Sequence, residues 1–385
     1  MSGPNLILDK SALEALRRDE LQALDRHFFL VVPPVLLDEV AADLGKTAEA
    51  DRPSHEELVE LLANKVTLSR GGNADWRELC HLSLEGQAIE LSRRCTVTSW
   101  IPVGTEPHRG IRIVPTEREE KLARWQSGMF HSTDHEFATK WRAGAQRIDI
   151  EGYRNLLSGR GVTLPRPEDP REALSLVDTL IERPDIRRCV MALLISELGL
   201  EQAPRRLLYR RWLSSGEPPL VDCGHYANFC ARTFLLFVIL LQNRNLLGPR
   251  PTHRLDLDYC LYLPFCEVFS SGDRFHELLV PLLAGEDQDF VPIRELKLDL
   301  RRLAEERAAL SPEQLRYRDQ HYGPYPVEAP DSVVSKLWSR HRDPWKPNSG
   351  NALLGMTPDE RKELGDALRA LLPKAPAVDG SAGSE

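Results

Sequence analysis

Two short apolar runs alternate with two helical patterns in the first 45 residues, and this order limits the fold more than any other sequence feature. The runs LILD (6–9) and FFLVVPP (28–34) are typical of short buried strands. The segments after them, SALEALRRDELQALDRHF and VLLDEVAADL, repeat apolar residues near helical spacing. Strand, helix, strand and helix in this order predict an α/β fold with a parallel sheet.

The composition predicts a globular cytoplasmic protein. The 385 residues are 42% apolar and 28% charged, which is enough for one large domain or two ordinary ones. The longest apolar run, FLLFVILL (234–241), is far shorter than the roughly 20 residues of a membrane span, so we expect no membrane association. Seven cysteines without a C-x-x-C pair, and no signal-peptide pattern, indicate free thiols in a reducing cytoplasm.

The character of the sequence changes after residue 45 and returns near residue 220. The middle stretch is predicted to be mainly helical, apart from a hairpin or two extended segments in CTVTSWIPVG and GIRIVPT (95–116). Beyond it we predict a buried helix (226–247), a helix (255–266), a strand in EVFSSGD (267–273), a helix in RFHELLVPLL and a strand in DFVPI. The capping signatures SPEQ (311–314) and TPDE (357–360) predict two C-terminal helices.

These changes predict four parts. They are a discontinuous α/β domain (1–45 and 220–310), a mainly helical insertion (46–219), a helical C-terminal extension (311–373) and a disordered tail (374–385).

Acidic residues fall where a parallel sheet would gather them. Asp9 ends the first strand and Asp273 ends a later one, and ligands of such sheets bind beyond the carboxyl ends of the strands. Glu39 lies on the second predicted helix, and Asp256 or Asp258 lies near the start of another. Asp258 is about 200° round a regular helix from Asp256, so only one of the two can point to the site.

Several carboxylates in one crevice repel one another unless a cation neutralises them. Oxygen ligands of this kind suit Mg²⁺ or Mn²⁺, and such a site serves phosphoryl chemistry. Taken singly, Asp9, Asp256 and Asp273 could equally be helix N-caps, and Glu39 a solvated helix residue.

The stretches NLILDKSAL, PPVLLDEVAADL, LDLDYCLYLPFC and EVFSSGDRFHELL together resemble the PIN domain nucleases. The matching residues are Asp9 and Ser11, Glu39, Asp256, and Ser271 with Asp273. The resemblance implies a three-layer αβα sandwich around a parallel sheet and a metal-dependent endonuclease acting on RNA, with DNA as the second choice. It also implies that Asp9, Glu39, Asp256 and Asp273 hold the metal, while Ser11 and Ser271 orient these ligands.

This resemblance covers about a third of the chain and departs from the family pattern in two respects. The third acid is ambiguous; family helices often read Asp-apolar-x-His/Tyr, and Asp256-Leu257-Asp258-Tyr259 fits this pattern with Asp256 first, so the resemblance favours Asp256 over Asp258. About 175 residues intervene between the second helix and the third acid, where the family usually has no large insertion. The insertion could be a lid, a substrate ruler or a surface for assembly with a protein partner or a second copy.

Basic and aromatic residues are interleaved in two places. The first is RRLLYRRW (205–212), which contains Arg205, Arg206, Tyr209, Arg210, Arg211 and Trp212. On a chain with a net charge of −8, it is the best candidate RNA-contact patch, although Arg at a helix end packed by Tyr and Trp is the structural alternative. The second is WSRHRDPWKPNSGN (338–351), which could wrap the body or line the crevice.

Two other functions are compatible with the sequence. A PIN-like scaffold without activity could bind RNA or a protein partner through the insertion, and a Lys or Arg among the acids would favour it. A zinc hydrolase could use His131 and His135, which have helical i, i+4 spacing, but it would need a third ligand.

Overall fold

A computed structural model describes residues 3–46, 54–66, 72–97, 100–103, 110–327, 329–343 and 362. Its centre is a four-stranded parallel sheet of β1 (Asn5–Leu8), β2 (Phe29–Leu30), β5 (Val268–Ser271) and β6 (Asp289–Pro292). The strand order is β2-β1-β5-β6, so the first strand pairs with a strand some 260 residues later in the sequence. A separate antiparallel hairpin consists of β3 (Trp100–Val103) and β4 (Gly110–Ile113). The parallel sheet and the surrounding helices confirm the predicted α/β class.

Eighteen α-helices surround the sheet in the described part of the chain. Those up to the hairpin are α1 (Lys10–Ala15), α2 (Arg18–His27), α3 (Pro34–Ala42), α4 (His55–Ala63) and α5 (Trp76–Leu84). Those up to residue 223 are α6 (Glu117–Trp125), α7 (Ser132–Gln146), α8 (Ile150–Asn155), α9 (Pro170–Leu180), α10 (Pro184–Glu197), α11 (Gln202–Ser214) and α12 (Leu220–Cys223). The remainder are α13 (His225–Leu240), α14 (His253–Cys260), α15 (Arg274–Leu283), α16 (Ile293–Ala308), α17 (Pro312–Tyr322) and α18 (Val333–His341). Short 3₁₀ helices occupy Asp43–Gly45, Ser158–Arg160 and Leu263–Phe265.

Local sequence explains why these elements begin and end where they do. The strand β1 is fully buried at Leu6, Ile7 and Leu8, as expected of a parallel strand covered on both faces. Proline at the first helical position starts both α3 and α17, and Ser311 caps α17 as its sequence signature predicts.

Several predicted elements are shorter than their apolar patterns. The first predicted helix is two helices, because Leu16 is extended and Glu20 accepts a hydrogen bond from the Arg17 amide, which starts α2. The second strand pairs over two residues only. The helices predicted over 226–247 and 255–266 end earlier, at Leu240 and Cys260. The residues that follow are apolar because they are buried, although they are not part of these helices.

Residues between α3 and α12 are mainly helical, and their core is continuous with that of the sheet. The buried apolar side chains of both form one cluster, in which α13 packs against α5, α9 and α10. All seven cysteines are free thiols. No helix in the described ranges is both long and apolar enough to cross a membrane.

Candidate active site

The parallel sheet brings Asp9 and the end of β5 to the same edge. Asp9 directly follows β1, and its backbone N–H donates to the Ser270 carbonyl oxygen of β5 at 3.4 Å. Ser271 ends β5, and Asp273 follows two residues later as the N-cap of α15. Because the strands are parallel neighbours, their carboxyl ends coincide, as the sequence predicts.

Asp9 is buried and held by a dense set of hydrogen bonds. Its carboxylate accepts from the Ser271 hydroxyl at 2.6 Å, from the Ser11 hydroxyl at 2.9 and 3.0 Å, and from the Ala12 amide at 2.8 Å. Asp9 is thus also the N-cap of α1, so its capping role and its place in the acidic site are compatible. Burial raises the pKa of Asp9, but the hydrogen bond and charge of His276 and these other donors lower it below its ordinary value.

His276 lies beneath Asp9 and is a residue that the sequence did not reveal. It is 1% exposed, its Nδ1 lies 3.3 Å from Asp9 Oδ2 and 2.9 Å from Ser271 Oγ, and its Nε2 lies 2.9 Å from the Asp256 carbonyl oxygen. Since carboxylates and carbonyls only accept, both ring nitrogens are best satisfied when both carry protons. Burial lowers the pKa of His276, but Asp9 and Asp256 more than offset it and raise that pKa. The raised pKa favours the protonated ring beside Asp9.

Two further acids border the same space. Glu39, on α3, accepts a hydrogen bond from the Tyr259 hydroxyl at 2.5 Å, and burial raises the pKa of its carboxyl. Burial also raises the pKa of Asp256 to about 8; the charge of His276 lowers it, and the negative charges of Asp273, Glu39 and Asp9 raise it further. The charges of Asp9, Glu39 and Asp273 all act on the Asp256 carboxyl, so the four predicted acids lie near one another.

Asp258 points away from this crevice. Its carboxylate accepts from Arg254 Nη1 at 2.7 Å and lies 3.5 Å from Arg77 Nη2. Arg254 also donates to Glu197 of α10. Of the two candidates on α14, Asp256 is therefore the one that faces the other acids.

The donor chemistry fits a hard divalent cation, although the side chains do not converge on one. No three His, Cys, Asp or Glu side chains of the described residues lie close enough together to hold a metal ion as they stand. The charges are nevertheless unbalanced, because no Lys or Arg in the described ranges forms an ion pair with Asp9, Asp256 or Asp273. Like charges that raise the pKa of Asp256 are what a bound cation would relieve.

The predicted RNA-contact patch lies on α11, far from the acids in the sequence. Trp212 is buried, and its Nε1 donates to the Pro218 carbonyl at 3.1 Å, so its ring packs within the helical part. Tyr209 is half-buried against that ring, at 5.7 Å between centroids. Arg206, Arg210 and Arg211 are exposed, and Arg205 is half-buried. The patch therefore offers guanidinium groups but not the predicted stacking tryptophan.

The two histidines of the zinc hypothesis do not gain a third ligand among the described residues. His135 Nε2 lies 3.0 Å from Glu56 Oε1, and His131 precedes α7 as its N-cap. Of the second basic–aromatic stretch, the structure describes 338–343, where Trp338 is buried and Arg340 pairs with Asp289 at 2.6 Å. Residues 344–351, the helix predicted from TPDE and the predicted tail lie outside the described residues.

Comparison with known proteins leaves this site to be judged on its geometry. No protein-family model, no curated protein and no solved structure matches the chain.

Proposed function

We propose that the chain is a metal-dependent endoribonuclease of PIN-like architecture, with a three-layer sandwich around its sheet. The supporting observation is that Asp9, Glu39 and Asp273 lie near enough to Asp256 for their negative charges to raise its pKa, together with burial, to about 8. An excess of negative charge in a crevice is a feature of functional sites rather than of structural ion pairs.

In this proposal the four acids hold Mg²⁺ or Mn²⁺. The chemistry that such an ion supplies is polarisation of the scissile phosphate and activation of a water. The role of the protein is positioning. Ser11 and Ser271 fix the Asp9 carboxylate by hydrogen bonds from their hydroxyls. The His276 ring, when protonated, contacts the same carboxylate through Nδ1. The Asp256 carboxylate accepts no hydrogen bond from a described residue that would compete with a ligand. Its backbone carbonyl oxygen is the atom that contacts His276.

One observation favours the scaffold alternative. The Asp9 oxygens already accept hydrogen bonds from Ser11, Ser271 and the Ala12 amide, and His276 partly compensates their charge. A PIN-like fold without activity, which binds RNA or a protein partner, would show the same bonds. Measurements of RNA cleavage distinguish the nuclease proposal from the scaffold alternative.

The experiment is cleavage of labelled single-stranded and hairpin RNA with Mn²⁺, Mg²⁺ or EDTA. The variants are Asp9→Asn and, as a matched control, Asp19→Asn, an exposed acid in the first turn of α2. We expect cleavage that needs metal, is retained by Asp19→Asn and is lost in Asp9→Asn. If the wild type is folded and neither cleaves RNA nor binds Mn²⁺, the nuclease proposal is wrong and the scaffold alternative gains.

A further inference from the structure

A second crevice, here called the α7 crevice, lies beside Glu39 between the sheet domain and α7. Its volume is ≈ 450 Å³, within the range of ligand sites. The wall from the α/β part consists of Lys10, Glu39, Ala42, Asp43, Lys46, Pro251, Thr252 and Leu255. The opposite wall consists of Trp141, Arg142, Ala145 and Gln146 of α7. Glu39 lines this crevice and also belongs to the acidic site, so the two are adjacent.

The α7 wall is positioned by close packing. Ala138 of α7 is fully buried, and α7 contacts both α3 and the 3₁₀ helix Asp43–Gly45. A Cβ on Gly45 would lie 3.1 Å from the backbone of Ala138 and 3.1 Å from Cδ of Arg142. This close backbone contact between Gly45 and Ala138 fixes the position of α7 relative to the wall that contains Glu39.

The α7 crevice carries positive charge next to the acids. Asp43 is buried and binds two lysines, Lys10 at 2.6 Å and Lys46 at 2.8 Å. Lys10 also lies 3.6 Å from Glu14, whereas Lys46 has no second acidic partner among the described residues. Arg142 forms no ion pair or hydrogen bond with any described residue, so its guanidinium is open to a ligand. Neighbouring Trp141 is half-buried, lines the crevice and makes no aromatic or cation–π contact within the described ranges.

We infer that the α7 crevice binds one unpaired nucleotide of a single-stranded nucleic acid, next to the phosphate that the acidic site would cut. Arg142 and Lys46 would contact its phosphate, and Trp141 would stack on its base. Arginine and an open aromatic face are the two groups by which proteins bind single strands. A base that stacks here must be unpaired, which excludes the interior of a duplex. As a statement about the reacting strand, this inference rests on the proposed function, but binding itself can be tested without cleavage.

The test is the affinity of a short, labelled single-stranded RNA, measured by fluorescence anisotropy in EDTA. We expect Trp141→Ala to weaken binding about tenfold, as loss of one stacked base does. Arg142→Gln should weaken it about fivefold and reduce the slope of log Kd against log salt by about 0.7. Trp141→Phe should restore most of the affinity, which separates loss of stacking from loss of folding. The same sequence as a duplex should bind more weakly, and single-stranded DNA shows whether the sugar is read.

The matched control is Lys140→Gln. Lys140 precedes Trp141 on α7, is 80% exposed and pairs only with Glu136 of the same helix among the described residues. We expect a change in affinity of less than about twofold. If Lys140→Gln weakens binding as much as Arg142→Gln, or if neither α7 crevice variant weakens it, the inference is wrong.

Cleavage in Mn²⁺ separates this inference from the proposed function. Weaker binding by the α7 crevice variants without any cleavage by the wild type would retain the nucleotide site and refute the nuclease. Cleavage with an unchanged KM in Trp141→Ala and Arg142→Gln would retain the nuclease and refute the nucleotide site.

Discussion

Two groups of acids flank α14, and they differ in how their charge is compensated. On one side Asp258 and Glu197 meet the cations Arg254 and Arg77, so the charges balance. On the other side Asp256 meets the charges of Asp9, Glu39 and Asp273, which are opposed by His276 and, at Glu39, by Lys10. Asp256 and Asp258 are two residues apart in the sequence. The first group forms buried ion pairs within the fold, and the second is the one that we propose to bind a ligand.

The largest expected effect is on catalysis. Asp256→Asn should reduce metal-dependent RNA cleavage by roughly 100-fold or more, because it removes a charge from the reacting site. Asp258→Asn should retain cleavage per folded molecule, because Asp258 points to Arg254 instead. Initial rates, corrected for the folded fraction by circular dichroism, measure both. Equal losses in the two variants would break the comparison.

Stability should show the opposite order. Asp258→Asn leaves Arg254, which is 4% exposed, with Glu197 as its remaining acidic partner. We expect a loss of about 2 kcal/mol in the free energy of unfolding, since breaking a buried ion pair leaves a charge uncompensated. Urea denaturation in EDTA measures it, and an unchanged midpoint would show that this group is not structural.

Asp256→Asn should instead stabilise the metal-free protein, by about 1 kcal/mol near neutral pH. Folding raises the pKa of Asp256 from 3.8 to about 8, so the folded state binds this proton more tightly than the unfolded state. The stability that this group contributes is fully present below pH 3.8 and is lost as the pH rises to about 8. The asparagine variant lacks this loss.

The melting temperatures of wild type and Asp256→Asn in EDTA should therefore diverge as the pH rises and stay apart above pH 8. Added Mn²⁺ should raise the melting temperature of the wild type only, because it binds the folded state. A variant less stable than the wild type at every pH would contradict the excess of negative charge.

The smallest effect is expected on α11. Arg206→Gln and Arg210→Gln remove exposed charges that lie far in sequence from Asp9, Glu39, Asp256 and Asp273. Each should leave the melting temperature and kcat unchanged and weaken RNA binding by no more than about twofold at moderate salt. A larger loss would show that the predicted patch is a main RNA contact, although Trp212 is buried.

The sequence predicts those parts of the site that depend on strand ends and not those that depend on side-chain direction. Asp9, Ser271 and Asp273 follow from apolar runs that end in polar residues, because parallel strands share an edge. The choice between Asp256 and Asp258 depended on the ion-pair partners Arg254 and Arg77, which hold the Asp258 carboxylate in the structure. The i, i+4 spacing of Arg254 and Asp258 was a usable signal, since such pairs meet on one helix face.

His276 and the α7 crevice were beyond such reasoning. His276 lies on the buried face of α15 with Phe275, Leu279 and Val280, where its helical pattern looks like core. Trp141 and Arg142 line the same crevice as Glu39 because α7 packs on α3. Local sequence does not encode a contact between helices about 100 residues apart. The early ends of α13 and α14 were also missed, because burial continues past the helix.

The most direct test of the account is calorimetric titration of Mn²⁺ into wild type, Asp256→Asn and Asp258→Asn, at a temperature where all three are folded. The account predicts binding to the wild type and to Asp258→Asn with similar affinity, and binding at least about tenfold weaker to Asp256→Asn. No binding to the wild type, or equal affinity in Asp256→Asn, would contradict the claim that the acids at the sheet edge hold a metal.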